Sequence, residues 1–170
     1  MFIQDGSADR SEAYRLLADL FARPPEDDDL EVIRRDLELK SGETAREVLD
    51  EFNHLLRYPG GMLPPLESLS AGSGDIDVAE SVSESYERAG LTIGEEFEAP
   101  PDHLSLELLF ISYLVETNNP GLIENFLDEH IMNWVPYYCE ELKRQARTVF
   151  YKEIADITRN FLQNEYGSFG

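Results

Sequence analysis

The 170-residue chain carries 35 Asp and Glu against 14 Lys and Arg, a formal charge of −21 at pH 7. A surface with that excess repels a phosphate backbone, which is bound by basic side chains that displace counterions, so nucleic acid is excluded as a partner and anionic membrane surfaces are disfavoured. A chain of this length hides roughly two thirds of its unfolded surface on folding, enough for one domain over residues 1–170.

No run approaches the ~20 apolar residues that span a bilayer, so no stable membrane insertion is expected. The start, "MFIQDGSADRSEAY", lacks the basic n-region and apolar core of a secretory signal, and a lone cysteine, Cys139, cannot close an intramolecular disulfide. Together these point to a cytoplasmic protein in which Cys139 is a small packing residue.

The chain order of elements is helical throughout. From Ala13 the apolar positions Ala13, Leu16, Leu17, Leu20 and Phe21 mark one helix face, and "RPPEDDD" ends it. A second helix is expected over about Leu30 to Leu39, closed by Gly42, and a third over about Glu43 to Arg57. Tyr58 to Gly74, rich in Pro, Gly and Ser, reads as a linker lying on the surface of the body. A fourth helix, about Asp75 to Ala89, meets Gly90, which suits a left-handed C′ position.

The fifth helix opens at Asp102 and is apolar nearly all round, as a central bundle helix must be. "TNNPG" ends it, with Asn119 and Pro120 beginning a sixth that turns Ile123, Phe126 and Leu127 inward. A seventh is expected near Pro136 and an eighth after the cap residue Thr148. With no sustained alternation and no internal repeat, the fold class is all-α: a single-domain bundle of about eight or more unequal helices.

Chemistry is scarce. The three histidines, His54, His103 and His130, fall on three elements, and the single Glu-x-x-His, Glu51 with His54, has no second copy, so no metal site is expected and the histidines read as surface residues. Neither a phosphate-cradling glycine loop nor a nucleophile elbow occurs. No catalytic residue, resident cofactor or enzymatic activity is therefore expected.

What remains is "EAPPDHLSLELLF", Glu98 to Phe110. Asp102 is read as the cap of the helix that follows, with His103 in its first turn; an acid and an imidazole at the mouth of a groove would also receive donors from a ligand. Among the many rings, Tyr86 and above all Trp134, at a helix junction, are candidates for a binding surface, where an apolar body with a polar tip is favoured. Two further readings stay open: an acidic adaptor that takes basic partners through its acidic face alone, and a weak nucleotide-binding enzyme using Asp102 and His103.

The same stretch resembles the E-x-P-P-D-H…E-L signature of the TorD/DmsD/NarJ family, cytoplasmic chaperones for twin-arginine-exported molybdenum enzymes. "AYRLLADLFARPP", "SYERAGL" and the closing part from "FLDEHIMNW" to "ITRNFL" are similar to the family's pieces in the same order, so the resemblance spans nearly the whole chain. It implies a TorD-like helical fold. It also implies binding of the twin-arginine signal peptide of a molybdoenzyme catalytic subunit, which is held back from export until molybdopterin is inserted. By that resemblance Pro100, Pro101, Asp102, His103 and Glu107 belong to the peptide site, with Tyr86 and Trp134 added from the residues themselves. Where relatives carry a further acid and a methionine in the signature helix, this chain has Leu109 and Ile111. Some relatives bind a guanine nucleotide weakly; the family implies a monomer or homodimer.

Overall fold

The computed structural model describes residues 6–70 and 77–170. Its helices are α1 (Ser7–Ala22), α2 (Asp27–Asp36), α3 (Ala45–Glu51), α4 (Glu67–Ser70), α5 (Asp77–Arg88), α6 (Leu104–Glu116), α7 (Pro120–Phe126), α8 (Met132–Gln145) and α9 (Val149–Gly167). Among the described residues there is no sheet; one isolated antiparallel bridge joins Leu66 to His103.

Helix α6 lies at the centre, as its uniform apolarity dictates. Ten of its residues are buried and it packs along α1 on one side and against α7 on another, while α8 pairs with α9. Rings stitch these layers: Tyr14 of α1 meets Phe161 of α9 edge-on at 4.8 Å, and Phe110 of α6 meets Phe126 of α7 at 4.9 Å. Such offset ring pairs add to what burial alone contributes. Cys139 is buried in the α8 face, and burial pushes its thiol up to about 12, which suits a packing residue.

Several boundaries differ from the expected ones, each for a local reason. Helix α2 begins at Asp27, because Asp27, Asp28 and Asp29 complement the positive end of the helix, and it closes well before Gly42, at Glu38 in the left-handed region with φ 55°. Thr44 caps α3 through a reciprocal box with Glu47. Gly90 follows α5 at φ 84° and Thr148 caps α9 with its hydroxyl, both as read from sequence.

No break separates α7 from α8. Both α3 and α7 run on into five-residue π turns, Phe52–Leu56 and Leu127–Ile131, and the second leads directly into α8, so Pro136 sits inside that helix instead of starting it. Its missing N–H falls just beyond the π turn, where the regular ladder is already widened.

The stretch expected as a surface linker is more than that in its described part. Residues 61–70 form a strap with Leu66 and Glu67 buried, ending in α4. The strap is fastened by backbone bonds from Met62 to His54 and from Leu63 to Leu55, at 2.9 and 2.8 Å. The hydroxyl of Tyr138 also donates to the Leu63 carbonyl at 2.8 Å. Residues 71–74 of the expected linker, and the expected start of α5 at Asp75, lie outside the described residues.

Candidate peptide site around the signature turn

The turn 98–103 is held from behind by the strap. Pro100 accepts from the His103 amide at 3.0 Å, the Glu67 amide donates to the Asp102 carbonyl at 3.1 Å and the Leu104 amide to the Pro65 carbonyl at 2.9 Å. The hydroxyl of Tyr86, from α5, donates to the Pro101 carbonyl at 2.7 Å. Two rigid prolines and cross-strap bonds thus fix the conformation of the turn before any side chain is counted.

The acid and the imidazole then go different ways. Asp102 was expected to cap its own helix; instead its Oδ2 accepts from the Ser68 amide at 2.8 Å and so caps α4 of the strap. The cap of α6 is His103, whose Nδ1 accepts from the Ser105 amide at 3.1 Å and lies 2.8 Å from the Ser105 hydroxyl. Accepting that amide requires a bare Nδ1. Burial lowers the His103 pKa to about 4, with neighbouring Asp102 opposing the shift.

Glu107, one turn into α6, is 0 % exposed. Its Oε1 accepts from Trp134 Nε1 at 3.1 Å, whereas Oε2 has no hydrogen-bond partner among the described residues. Burial raises the Glu107 pKa well above the ordinary range, the adjacent Glu67 carboxylate raises it further, and the Trp134 hydrogen bond opposes both. Glu67 in turn receives His130 Nδ1 at 3.0 and 3.2 Å.

The sequence-derived residues therefore do converge, but mostly beneath the surface. Asp102 and Trp134 are each 1 % exposed, so the expected surface position of Trp134 is corrected: its indole nitrogen finds its partner inside the core. His103 and His130 are also buried, against the surface position expected for all three histidines; His54 alone is exposed. Glu67 and His130 were not singled out. For His130 the signal was present: Ile123, Phe126, Leu127, His130 and Ile131 share one helical face. Glu67 offered none, since its burial depends on where the strap lands.

What faces solvent at this turn is a groove of about 710 Å³ between α1, the 96–99 segment and the start of α6. His103, Ser105, Leu106 and Leu109 line it from α6, Glu96, Phe97 and Glu98 from the preceding segment, and Asp19 from α1. Two arginines on its wall are engaged: Arg15 pairs with Glu116, and Arg57 bonds Asn53 and lies over the Phe52 ring. Beside it is an apolar pocket of about 140 Å³ that shares Phe97, Leu106 and Leu109 with the groove and adds Tyr86, Leu91 and Ile93. A third recess, about 340 Å³, is lined by Tyr86, Ala99 and Pro101 among others. Phe97 and Leu109, on the shared wall, are 43 % and 37 % exposed.

Among the described residues no group of three or more His, Cys, Asp or Glu is placed to hold a metal, and no helix is long and apolar enough to cross a membrane. The candidate site combines carboxylates and apolar walls over a buried polar frame.

Comparison with known proteins gives the class and then the family. In fold the chain matches a crystal structure described as a redox enzyme maturation protein of Archaeoglobus fulgidus, with a TM-score of 0.64 at 21 % identity over 96 % of this chain and 98 % of that one. The family model of the nitrate reductase delta subunit matches residues 7–140. The chain belongs to that family, the TorD/NarJ/DmsD group. Among curated relatives, the Tat proofreading chaperone DmsD of Haemophilus influenzae is 36 % identical over 66 residues, 39 % of this chain and 32 % of that protein. The chaperone protein TorD of Photobacterium profundum is 25 % identical over 169 residues, 89 % of this chain and 78 % of that protein. The match to DmsD thus spans about a third of that relative's length.

Proposed function

We propose that this protein is a cytoplasmic maturation chaperone that binds the twin-arginine signal peptide of a redox enzyme, a molybdoenzyme catalytic subunit, and holds it until its cofactor is inserted. The observation that carries this reading is the shared wall: an acid-bearing groove and an apolar pocket meet along Phe97, Leu106 and Leu109. A twin-arginine leader places adjacent guanidinium groups beside an apolar run, and the two compartments match those halves in order. The Glu96 and Glu98 carboxylates would receive the arginines, Asp19 being paired with Arg23, and a net charge of −21 would steer the encounter. Burial of the apolar run at roughly 25 cal/mol per Å² would retain it.

No covalent step is required, and binding is reversible. Asp102 and His103 support the reading by fixing the floor of the groove, since one braces the strap and the other caps α6. Their separate engagements give no support to an acid–base couple acting on a nucleotide.

Titration of the purified protein with synthetic twin-arginine signal peptides, alongside double-lysine controls, tests the proposal. We expect saturable binding to the arginine form, weakened at least about tenfold by Glu96→Lys with Glu98→Lys and by Phe97→Ser. Absence of binding to every such peptide overturns it. Binding that high salt abolishes and Phe97→Ser leaves intact would instead identify an acidic adaptor, the reading favoured by net charge alone.

A further inference from the structure

We propose that a single proton held between Glu107 and Glu67 bolts the strap 61–70 to the bundle, and that its loss releases the strap and slackens the signature turn. The inference stands on the arrangement of the buried cluster and does not depend on what the groove binds.

Four elements converge on this point: α4 brings Glu67, the signature turn Asp102, α6 Glu107 and the π turn after α7 His130, each 8 % exposed or less. Tyr86 of α5 feels all three carboxylates, and Trp134 of α8 contributes the one indole donor. The charged groups acting on Glu107 are Glu67 and Asp102, both acidic. Three carboxylates with one imidazole are thus packed together in the buried interior.

Such a cluster is stable only if its oxygens are supplied with hydrogens. Asp102 has the Ser68 amide and Glu67 has His130 Nδ1. Glu107 has Trp134 on Oε1 and nothing on Oε2, although the Glu67 carboxylate lies in hydrogen-bonding contact. Two carboxylates in contact bond to each other only through a proton on one of them. With the proton on Glu107, its hydroxyl donates to Glu67; without it, two buried negative charges face each other and repel.

The strap is the element that can yield. It is short, α4 has four residues, and Met62 and Leu69 on it are strongly exposed, whereas ten residues of α6 are buried. If Glu67 withdraws, the Glu67 amide bond to the Asp102 carbonyl, the Ser68 amide bond to Asp102 Oδ2 and the Leu104 amide bond to the Pro65 carbonyl lose their support together. Those bonds hold the turn that forms the floor of the groove. The proton therefore couples the protonation state of the interior to the order of the surface.

The sign is fixed by the direction of the shift. Burial and the Glu67 carboxylate raise the Glu107 pKa well above the ordinary carboxyl range, so the bolt is closed at low pH and opens as pH rises through the folded-state value.

Hydrogen–deuterium exchange on the full chain, corrected for the intrinsic rate at each pH, reads this directly. As pH is raised from the ordinary carboxyl range to the alkaline limit of the fold, the amides of Glu67, Ser68 and Leu104 should exchange at least about tenfold faster relative to those of α8, and E107Q, which keeps a neutral donor in place, should flatten the profile. A flat wild-type profile, or an E107Q profile identical to wild type, overturns the proposal. Should E107Q fail to fold, carbon-13 NMR of glutamate-labelled wild-type protein decides: one glutamate carboxyl must titrate well above the ordinary carboxyl range, and its absence sinks the idea. Neither readout involves a peptide, so failure here leaves the peptide-binding proposal standing, and the reverse also holds.

Discussion

Two buried glutamates in this protein solve the same problem in opposite ways. Glu51, at the end of α3, accepts from the Arg147 amide at 2.6 Å, the Thr148 amide at 2.8 Å and the Thr148 hydroxyl at 3.0 Å, and so ties α3 to the start of α9. Glu43 does likewise for the Val149 and Phe150 amides, and Glu153 for those of Lys40 and Ser41. These carboxylates are fasteners supplied by backbone donors. Glu107, at the signature end, has one indole donor and an acidic neighbour. One end of the molecule is held by backbone amides bonded to carboxylates, the other by a proton between two carboxylates.

The largest expected effect breaks the first of these ends. Glu51→Ala leaves the Arg147 amide and the buried amide and hydroxyl of Thr148 at the entrance to α9 without that acceptor, and roughly 3 to 5 kcal/mol of stability should be lost near neutral pH, measured by urea denaturation. A cost below about 1 kcal/mol would mean that water replaces the carboxylate and that the contrast is one of packing only.

A pH effect comes next. His103 titrates at about 4 in the fold against 6.5 when free, so the folded state holds the neutral ring while the unfolded chain takes up a proton. Stability should be full above about pH 6.5 and fall as pH drops through about 4, and His103→Asn, which keeps a side-chain acceptor for the Ser105 amide, should remove most of that slope. Glu107 acts in the other direction, since its stabilisation is lost as pH rises. Denaturation midpoints across the pH range separate the two limbs.

A smaller change sharpens the proton end. Trp134→Phe removes the one indole donor while keeping most of the ring, and should cost about 1 to 2 kcal/mol and drive the Glu107 pKa higher still. The smallest expected loss is that of Asp102→Asn, about 1 kcal/mol, because the amide oxygen can still accept from Ser68. If this variant weakens signal-peptide binding more than it weakens the fold, Asp102 contributes charge to the groove as well as bracing the strap; binding unchanged within error would leave it a brace alone.

These outcomes bear on how the signature was legible. Its residues do meet in space: Tyr86 reaches Pro101, Trp134 reaches Glu107, and His103 caps α6 over the groove wall. The local reading missed where Asp102 would point, because the amides it caps belong to a segment 34 residues earlier. It missed Glu67 for the same reason. Phe97 and Glu98, a ring and an acid just before the prolines, carry no sequence signal of exposure, and only the fold gave them a common groove.

What the sequence determined by itself is everything that depends on period, propensity and net charge: an all-helical chain, a central α6, the cap at Thr148, and an acidic exterior unsuited to nucleic acid. What only the tertiary structure decided is which polar groups are inside. A carboxylate is exposed or buried according to what packs over it, and the strap that covers Asp102 and brings Glu67 to Glu107 is placed by long-range contacts that leave no trace in local spacing.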